Sequence, residues 1–487
     1  MGYSSTLLCL STFIICLSLL ALSSLTTADD AAVMSKLLAA LSPTPSGWST
    51  STDPCKWENV TCDGNNRVTS IDLVNKSLSG TLPSNLGSLT QLKSLSLQGN
   101  SFSGPLPSLA NLSSLQQLYL DNNKFSSIPD GFFQGLTSLH TLFLSENTNL
   151  APWIIPTELT QATSLVRLYA SNANVVGFLP DIFDSFPSLE NLLLSFNNIT
   201  GPLPKSFGGS GIKILWLDYQ KNGLSGTIDV LSSMTQLKQV WLHENQFTGP
   251  IPDLSKCTSL FDLQLRDNQF TGIVPDSLMS LPSLKNVSLA NNKLQGPLPA
   301  FPSTVTTVTN NGTNSYCKTT PGPCDSQVTI LLEVAEALGY PIKLASSWQG
   351  NDACVSWSFI ACDSQKITSV NFSKLGFVGT ISPAIANLTS LRTLYLNDNN
   401  LTSSIPDSLA TMPDLQLLDV SNNNLTGAIP KFKSTLKFNA TGNPLLGKTP
   451  GMIAAVTFRE SEEGKRQDER NNSKGGQLGK PGPFYLG

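Results

Sequence analysis

The chain has 487 residues, a formal net charge of −4 and only 13% charged residues. That balance leaves no basic footprint for a phosphate backbone, so nucleic acid is excluded as a partner. Two histidines, His140 and His243, with no zinc motif, nucleophile elbow, phosphate loop or kinase signature, argue against an enzyme; no metal or cofactor is expected.

In chain order, an apolar run over 7–22 followed by SSLTTA reads as a signal peptide, 1–28, cleaved near Ala28, although no Lys or Arg precedes it. An uncleaved signal anchor is the competing reading. Residues 1–6 also match the myristoylation pattern, which the apolar segment behind them makes accidental. Residues 29–67 read as a cap. A short helix places Val33, Leu37, Leu38 and Leu41 on one face, and the segment GWSTSTDPCKWENVTCDGNNRV follows.

From 68 to 304 a pattern restarts about every 24 residues, most plainly in LKQVWLHENQFTGPIPDLSKCTS at 237–259 and again from Leu260. This L-x-x-L-x-L-x-x-N spacing is the signature of leucine-rich repeats. A single turn buries too little to order itself, so stacked turns must share one core. Leucines at the first, fourth and sixth positions point into it. The ninth-position amides, such as Asn100, Asn123, Asn245 and Asn268, suit unpaired backbone groups where each strand turns away. The predicted fold is therefore an α/β repeat, a right-handed solenoid. Repeats start at Leu92, Leu115, Leu139, Leu165, Leu189, Ile212, Leu237, Leu260 and Leu284, ten with the first. Between 139 and 236 the turns vary from 23 to 26 residues, and Ala173 and Gln220 replace the ninth Asn. Local rule-breaking of this kind marks either function or a tolerated insertion.

The period stops over 305–366. This island holds a second cap, with a helix at 327–338 and then SSWQGNDACVSWSFIACDSQKI. A second array of three repeats, 367–446, starts at Ile367, Leu391 and Leu415, with a degenerate closing turn from Leu436. Residues 447–487 read as a charged, Gly-rich disordered tail whose longest apolar stretch, 452–458, is too short to span a bilayer. No transmembrane helix is expected in the mature chain.

Compartment follows from cysteines and sequons. Of nine cysteines, Cys9 and Cys16 leave with the signal peptide. Six of the remaining seven lie in close pairs, Cys55 with Cys62, Cys317 with Cys324 and Cys354 with Cys362, a spacing that suits local disulfides in a secreted protein. Zinc is the alternative, but no His lies near them. Cys257 is left over and reads as a small buried hydrophobe. N-x-[ST] acceptors occur at Asn59, Asn75, Asn111, Asn198, Asn286, Asn311, Asn371, Asn387, Asn400, Asn424, Asn439 and Asn471.

Residues between the core leucines of a strand face the opposite side. The fifth column there reads Tyr119, Phe143, Tyr169, Leu193, Trp216 and Trp241, and the seventh and eighth add Asp121, Glu146, Asp218, Tyr219, His243, Glu244, Arg266 and Asp267. Tyr119, Phe143, Tyr169, Trp216, Trp241, His243 and Arg266 are the candidate ligand-binding residues on this concave face. The competing reading is that the rings only stack across strands. Sugars at Asn286 and Asn371 would obstruct the same face nearer the island, which places a ligand on the turns from Leu115 to Arg266.

Two arrays of ten and three repeats, separated by an island holding a second DPCKWENVTC-like cap (ACVSWSFIAC), resemble the ectodomain of the transmembrane-kinase family of plant leucine-rich-repeat receptor-like kinases. The resemblance implies a plasma-membrane receptor linked to auxin responses, with an extracellular protein or peptide, an auxin-binding protein or a co-receptor as partner. It also implies a membrane helix and a kinase domain, neither of which this sequence contains, so a truncated product or a secreted decoy is the expectation. The rival is a secreted inhibitor of wall-degrading enzymes resembling polygalacturonase inhibitors, against which the island and second array argue.

Overall fold

The computed structural model describes residues 30–309 and 312–448. The signal peptide, the myristoylation pattern, the sequons at Asn311 and Asn471 and nearly all of the charged tail lie outside these residues. The chain divides into two compact units: one takes the residues up to 270 with 274–292 and 299–314, the other 271–273, 293–298 and 315 onward.

In the first unit each turn contributes one short strand to a 12-stranded sheet. Val60–Cys62 pairs antiparallel with Val68–Asp72, and from there the ladder is parallel. The strands are short because only the third to fifth positions are extended before the ninth-position amide turns the chain. Asn123 shows how that amide works. Its Nδ2 donates to the carbonyls of Leu97, Leu120 and Asp121, and its Oδ1 accepts from Phe102 N–H at 3.0 Å. Leu92, Leu95, Leu97 and their counterparts in the following turns are buried. The last strand, Thr306–Val308, pairs with Asn286–Ser288 and so extends the sheet past residue 304, where the leucine pattern ends. Backbone pairing alone extends it, since all three of its residues are exposed.

The cap of the first unit is held by a buried acid. Asp30, in the helix Asp30–Ala40, accepts from Val68 N–H at 2.7 Å and from Arg67 at 3.0 Å, which ties the helix to the first strand of the array. Trp48 packs on Trp57 with ring centroids 4.6 Å apart. The second unit repeats the plan with neutral groups. Gln327, in the helix Ser326–Ala337, accepts from Ile367 N–H at 2.9 Å, and Trp348 packs on Trp357 at 4.9 Å. In both caps the helix backbone closes against a glycine of the first turn. A Cβ on Gly80 would lie 1.9 Å from Ala40 O and one on Gly379 2.2 Å from Ala337 O, so no side chain is accommodated at either place. Behind the second cap runs a five-stranded sheet ending in Lys437–Asn439.

The three close cysteine pairs are disulfides, Cys55–Cys62, Cys317–Cys324 and Cys354–Cys362. Cys257 is a buried free thiol directed at the carbonyls of Leu231 and Met234.

Candidate functional site

In-register parallel pairing decides what the exposed side of the first unit's sheet looks like. Tyr119 stands opposite Phe143, Phe143 opposite Tyr169, and Trp216 opposite Trp241. Strands about 4.8 Å apart bring identical columns to ring-stacking distance. Phe143 and Tyr169 stack at 4.1 Å, Trp216 and Trp241 at 4.0 Å with planes 3° apart, and Tyr119 meets Phe143 edge-on at 5.0 Å. Leu193 interrupts the stripe between the two groups. All six side chains are half-buried, so the rings consume much of their faces on one another and present their edges outward. Stacking and exposure coexist at these positions.

Polar groups fix the ring orientations. Trp241 Nε1 donates to Asp262 Oδ2 at 2.9 Å, and the same carboxylate accepts from Gln239 and Gln264. Asn191 Nδ2 donates to the Tyr169 hydroxyl at 3.0 Å. Trp216 Nε1 is buried and has no hydrogen-bond partner among the described residues. Asp262 was not singled out in the sequence; its position one strand beyond Trp241, in the third column, is the feature that would have found it.

Arg266 and His243 part company. Arg266 is half-buried and reaches Glu244 at 3.1 Å, Asp267 and the Tyr219 hydroxyl at 3.1 Å, with its guanidinium 5.9 Å from the Tyr219 ring centroid. Its charge is thus met by two carboxylates. His243, expected among the exposed ligand-binding residues, is only 8% exposed. The strand Gln239–Trp241 ends two residues before it and the next residue, Glu244, has φ +55°, so the imidazole tucks against Tyr219 and Trp241. There its Nε2 lies 3.7 Å from Asp218 Oδ2, and Asp218, 2% exposed, also accepts from Ser195 Oγ at 2.6 Å. Burial pushes the Asp218 carboxyl up and the His243 imidazole down. The pair is part of the packing beneath the stripe.

Asp121 borders the aromatic end. Burial pushes its carboxyl up to about 6, against the hydrogen bond from Ser145 N–H at 2.9 Å. A raised carboxyl pKa makes the folded state bind the proton more tightly than the unfolded chain. The associated stability is present below about pH 4 and is lost as pH rises through about 6. Asp121→Asn, which retains the acceptor for Ser145, is expected to flatten the fall in stability between about pH 4 and 6. At pH 7 it should raise stability by on the order of 2–3 kcal/mol. Urea midpoints measured across that range test this; parallel pH profiles for variant and parent would rule it out.

The irregular turns add features that sequence reasoning missed. Residues 151–156 of the longest turn fold beside Phe132, Phe133 and Phe178 around an apolar cavity of about 800 Å³, with Trp153 Nε1 donating to Ala173 O at 2.7 Å. Phe196, in the eighth position, is 54% exposed and adopts φ +58° where Asn, Gly, Asp or Glu stands in most other turns. It stacks on Tyr219 at 4.5 Å. Gln220 replaces the ninth Asn without loss, donating to Leu194, Leu217 and Asp218 carbonyls and accepting from Ile199 N–H. The sequon asparagines Asn286 and Asn371 are both exposed at strand positions, and among the described sequons only Asn198 is half-buried.

Among the described residues no helix is long and apolar enough to cross a membrane, and no cluster of potential metal ligands occurs. Family models match in several segments: Leucine rich repeat at 113–175 and 378–425, and Leucine rich repeat N-terminal domain at both caps, 27–63 and 324–363. The chain is 53% identical over 428 residues to "Receptor-like kinase TMK4" of Arabidopsis thaliana, covering 87% of this chain and 46% of that protein. It is 44% identical over 389 residues to "Receptor-like kinase TMK2" of the same plant, covering 78% and 44%. It thus spans about half the length of these curated relatives. Among solved structures, the complex titled "Crystal structure of PEPR1-AtPEP1" matches with a TM-score of 0.54 and 27% identity over 86% of this chain and 52% of that one. A plant ice-binding protein matches with a TM-score of 0.50 and 26% identity over 61% and 98%. Two capped arrays, three disulfides and these likenesses together make this chain a leucine-rich-repeat ectodomain of the plant transmembrane-kinase-type receptor-like kinases.

Proposed function

We propose that the chain is an extracellular recognition module and that the stripe from Tyr119 to Trp241, with Arg266 at its border, is where a protein or peptide ligand docks. The observation that carries this is a column of five half-exposed aromatic side chains over six successive turns, interrupted only by Leu193. Aromatic residues are enriched at interfaces and supply most hot spots. Here their rings are already locked by stacking, so little rotamer entropy remains to be lost on binding. Glu146, Glu244 and Asp267 on the border favour a ligand that offers cationic or hydrogen-bond-donor groups. By family resemblance the signal is auxin-related and reaches the ectodomain through an auxin-binding protein or co-receptor, and a secreted form of the chain acts as a decoy that competes for it.

The secreted protein and its Tyr169→Ala, Trp216→Ala and Trp241→Ala variants, each checked for native circular dichroism, are used to capture partners from apoplastic fluid. Each substitution is expected to weaken the captured partner's affinity by about 30-fold or more, the loss of one interface hot spot. Unchanged affinity in all three would remove the stripe as the site. Recovery of a wall hydrolase with loss of its activity would favour the inhibitor reading instead.

A further inference from the structure

Phe196 is a large exposed hydrophobic side chain in a left-handed conformation that costs it free energy, and neither the core nor the aromatic stripe uses its outer face. One face of its ring lies on Tyr219, 4.5 Å away and 8° from parallel. Two residues on begins the sequon Asn198-Ile199-Thr200, on the strand Asn198–Thr200. Alternation along that strand buries Ile199 and turns Asn198 and Thr200 outward together. Asn198, Phe196 and Tyr219 line one open cavity of about 590 Å³, bordered by Lys221 and Glu244. The Asn198 Oδ1 is buried and has no hydrogen-bond partner among the described residues.

We propose that Asn198 carries an N-linked glycan whose first N-acetylglucosamine lies in this cavity with its ring packed on the free face of Phe196. The proposal rests on the extracellular reading above. In the transfer step the Asn198 amide nitrogen displaces a lipid diphosphate from C1 of the reducing-end sugar of a lipid-linked oligosaccharide. A C–N bond forms, the C1–O bond to the diphosphate breaks with its electron pair, and the amide gives up one proton to solvent.

The face of an aromatic ring is electron-rich and the axial C–H bonds of a pyranose are electropositive, so the two pack with mutual attraction. The sugar covers apolar surface that is otherwise left in water. Position decides that this occurs at Asn198 and not at the other sequons. Only Asn59 also has an aromatic residue two places earlier, Trp57, and that ring is 3% exposed and committed to Trp48. None of the remaining described sequons has an aromatic residue two places earlier.

The full chain is secreted from mammalian cells as four versions: parent, Thr200→Ala, Phe196→Asn and the double variant. Thr200→Ala removes the sequon and leaves Asn198 in place; Phe196→Asn puts at the left-handed position a residue that tolerates it. Site-resolved glycopeptide mass spectrometry is expected to find Asn198 occupied. Thr200→Ala should lower Tm by about 2–4 °C in the parent and leave it within about 1 °C in the Phe196→Asn background. Trimming every glycan to its first sugar should preserve the parent's Tm. An empty Asn198 beside occupied Asn111 and Asn387, or an equal Tm loss in both backgrounds, overturns the proposal and leaves the extracellular reading standing. If no sequon is occupied and the six paired cysteines are reduced, both fall together.

Discussion

Trp348→Ala is expected to destabilise the second unit by about 3–5 kcal/mol, the range for truncating a large buried aromatic residue. Trp348 is 1% exposed and its ring stacks on Trp357 at 4.9 Å and meets Phe372 at 6.0 Å. Its Nε1 donates to Ser358 O at 3.0 Å within the cap, and its contact with Phe372 ties the cap to the start of the second array. Three consequences follow from one deletion. A cavity opens where the cap meets the array, Ser358 O loses its donor, and Phe372 loses a packing partner. Hydrogen exchange over 326–446 reads the effect directly, because protection there should fall by about two to three orders of magnitude if those amides exchange by unfolding of that unit. Trp348→Phe, which keeps a ring and loses only the hydrogen bond and part of the volume, should cost about 1–2 kcal/mol. Unchanged protection in Trp348→Ala would mean that the second array folds without its cap.

Asn197→Ala is expected to cost a comparable amount, on the order of 3–5 kcal/mol, although it removes almost no apolar surface. The Asn197 Nδ2 donates to the carbonyls of Ala170, Leu194 and Ser195, and its Oδ1 accepts from the N–H groups of Ala173 and Val175. The carbonyls of Leu194 and Ser195 keep second donors, Gln220 Nε2 and Asn172 N–H. Without the side chain the Ala170 carbonyl and the Ala173 and Val175 N–H groups are left unsatisfied, each at about 1–3 kcal/mol before local rearrangement. The exchange rates of the Ala173 and Val175 amides should rise first. Gln220→Asn gives the control. The longer amide at that position makes the same set of bonds, so the exchange should cost under about 1 kcal/mol. A neutral Asn197→Ala would show that water replaces the amide and that the ladder does not hold the turns.

Much of the fold was legible because periodicity is a local property. Leu237, Val240, Leu242 and Asn245 announce a turn by spacing alone, whatever surrounds them. The caps were legible for the same reason: a tryptophan and two cysteines recur in one order at 48–62 and 348–362. Binding residues were harder to read. His243 occupies a column that alternation assigns to the outside, yet it is buried, since the strand has already ended at Trp241 and Asp218 and Tyr219 from the turn before pack against it. Phe196 was passed over because a lone aromatic residue in a loop position carries no periodic signal. The strand Thr306–Val308 was missed because three exposed residues joined only through their backbones leave no mark in side-chain pattern.

The amino-acid order by itself determined that this chain builds two capped stacks of turns closed by local disulfides, because the spacing of leucines, amides and cysteines states which groups must be buried or paired. Only the tertiary structure decided which outward residues meet. Stacking depends on register between turns that are more than twenty residues apart, and it is register that lays Trp216 on Trp241, hides His243 and leaves one face of Phe196 bare beside Asn198.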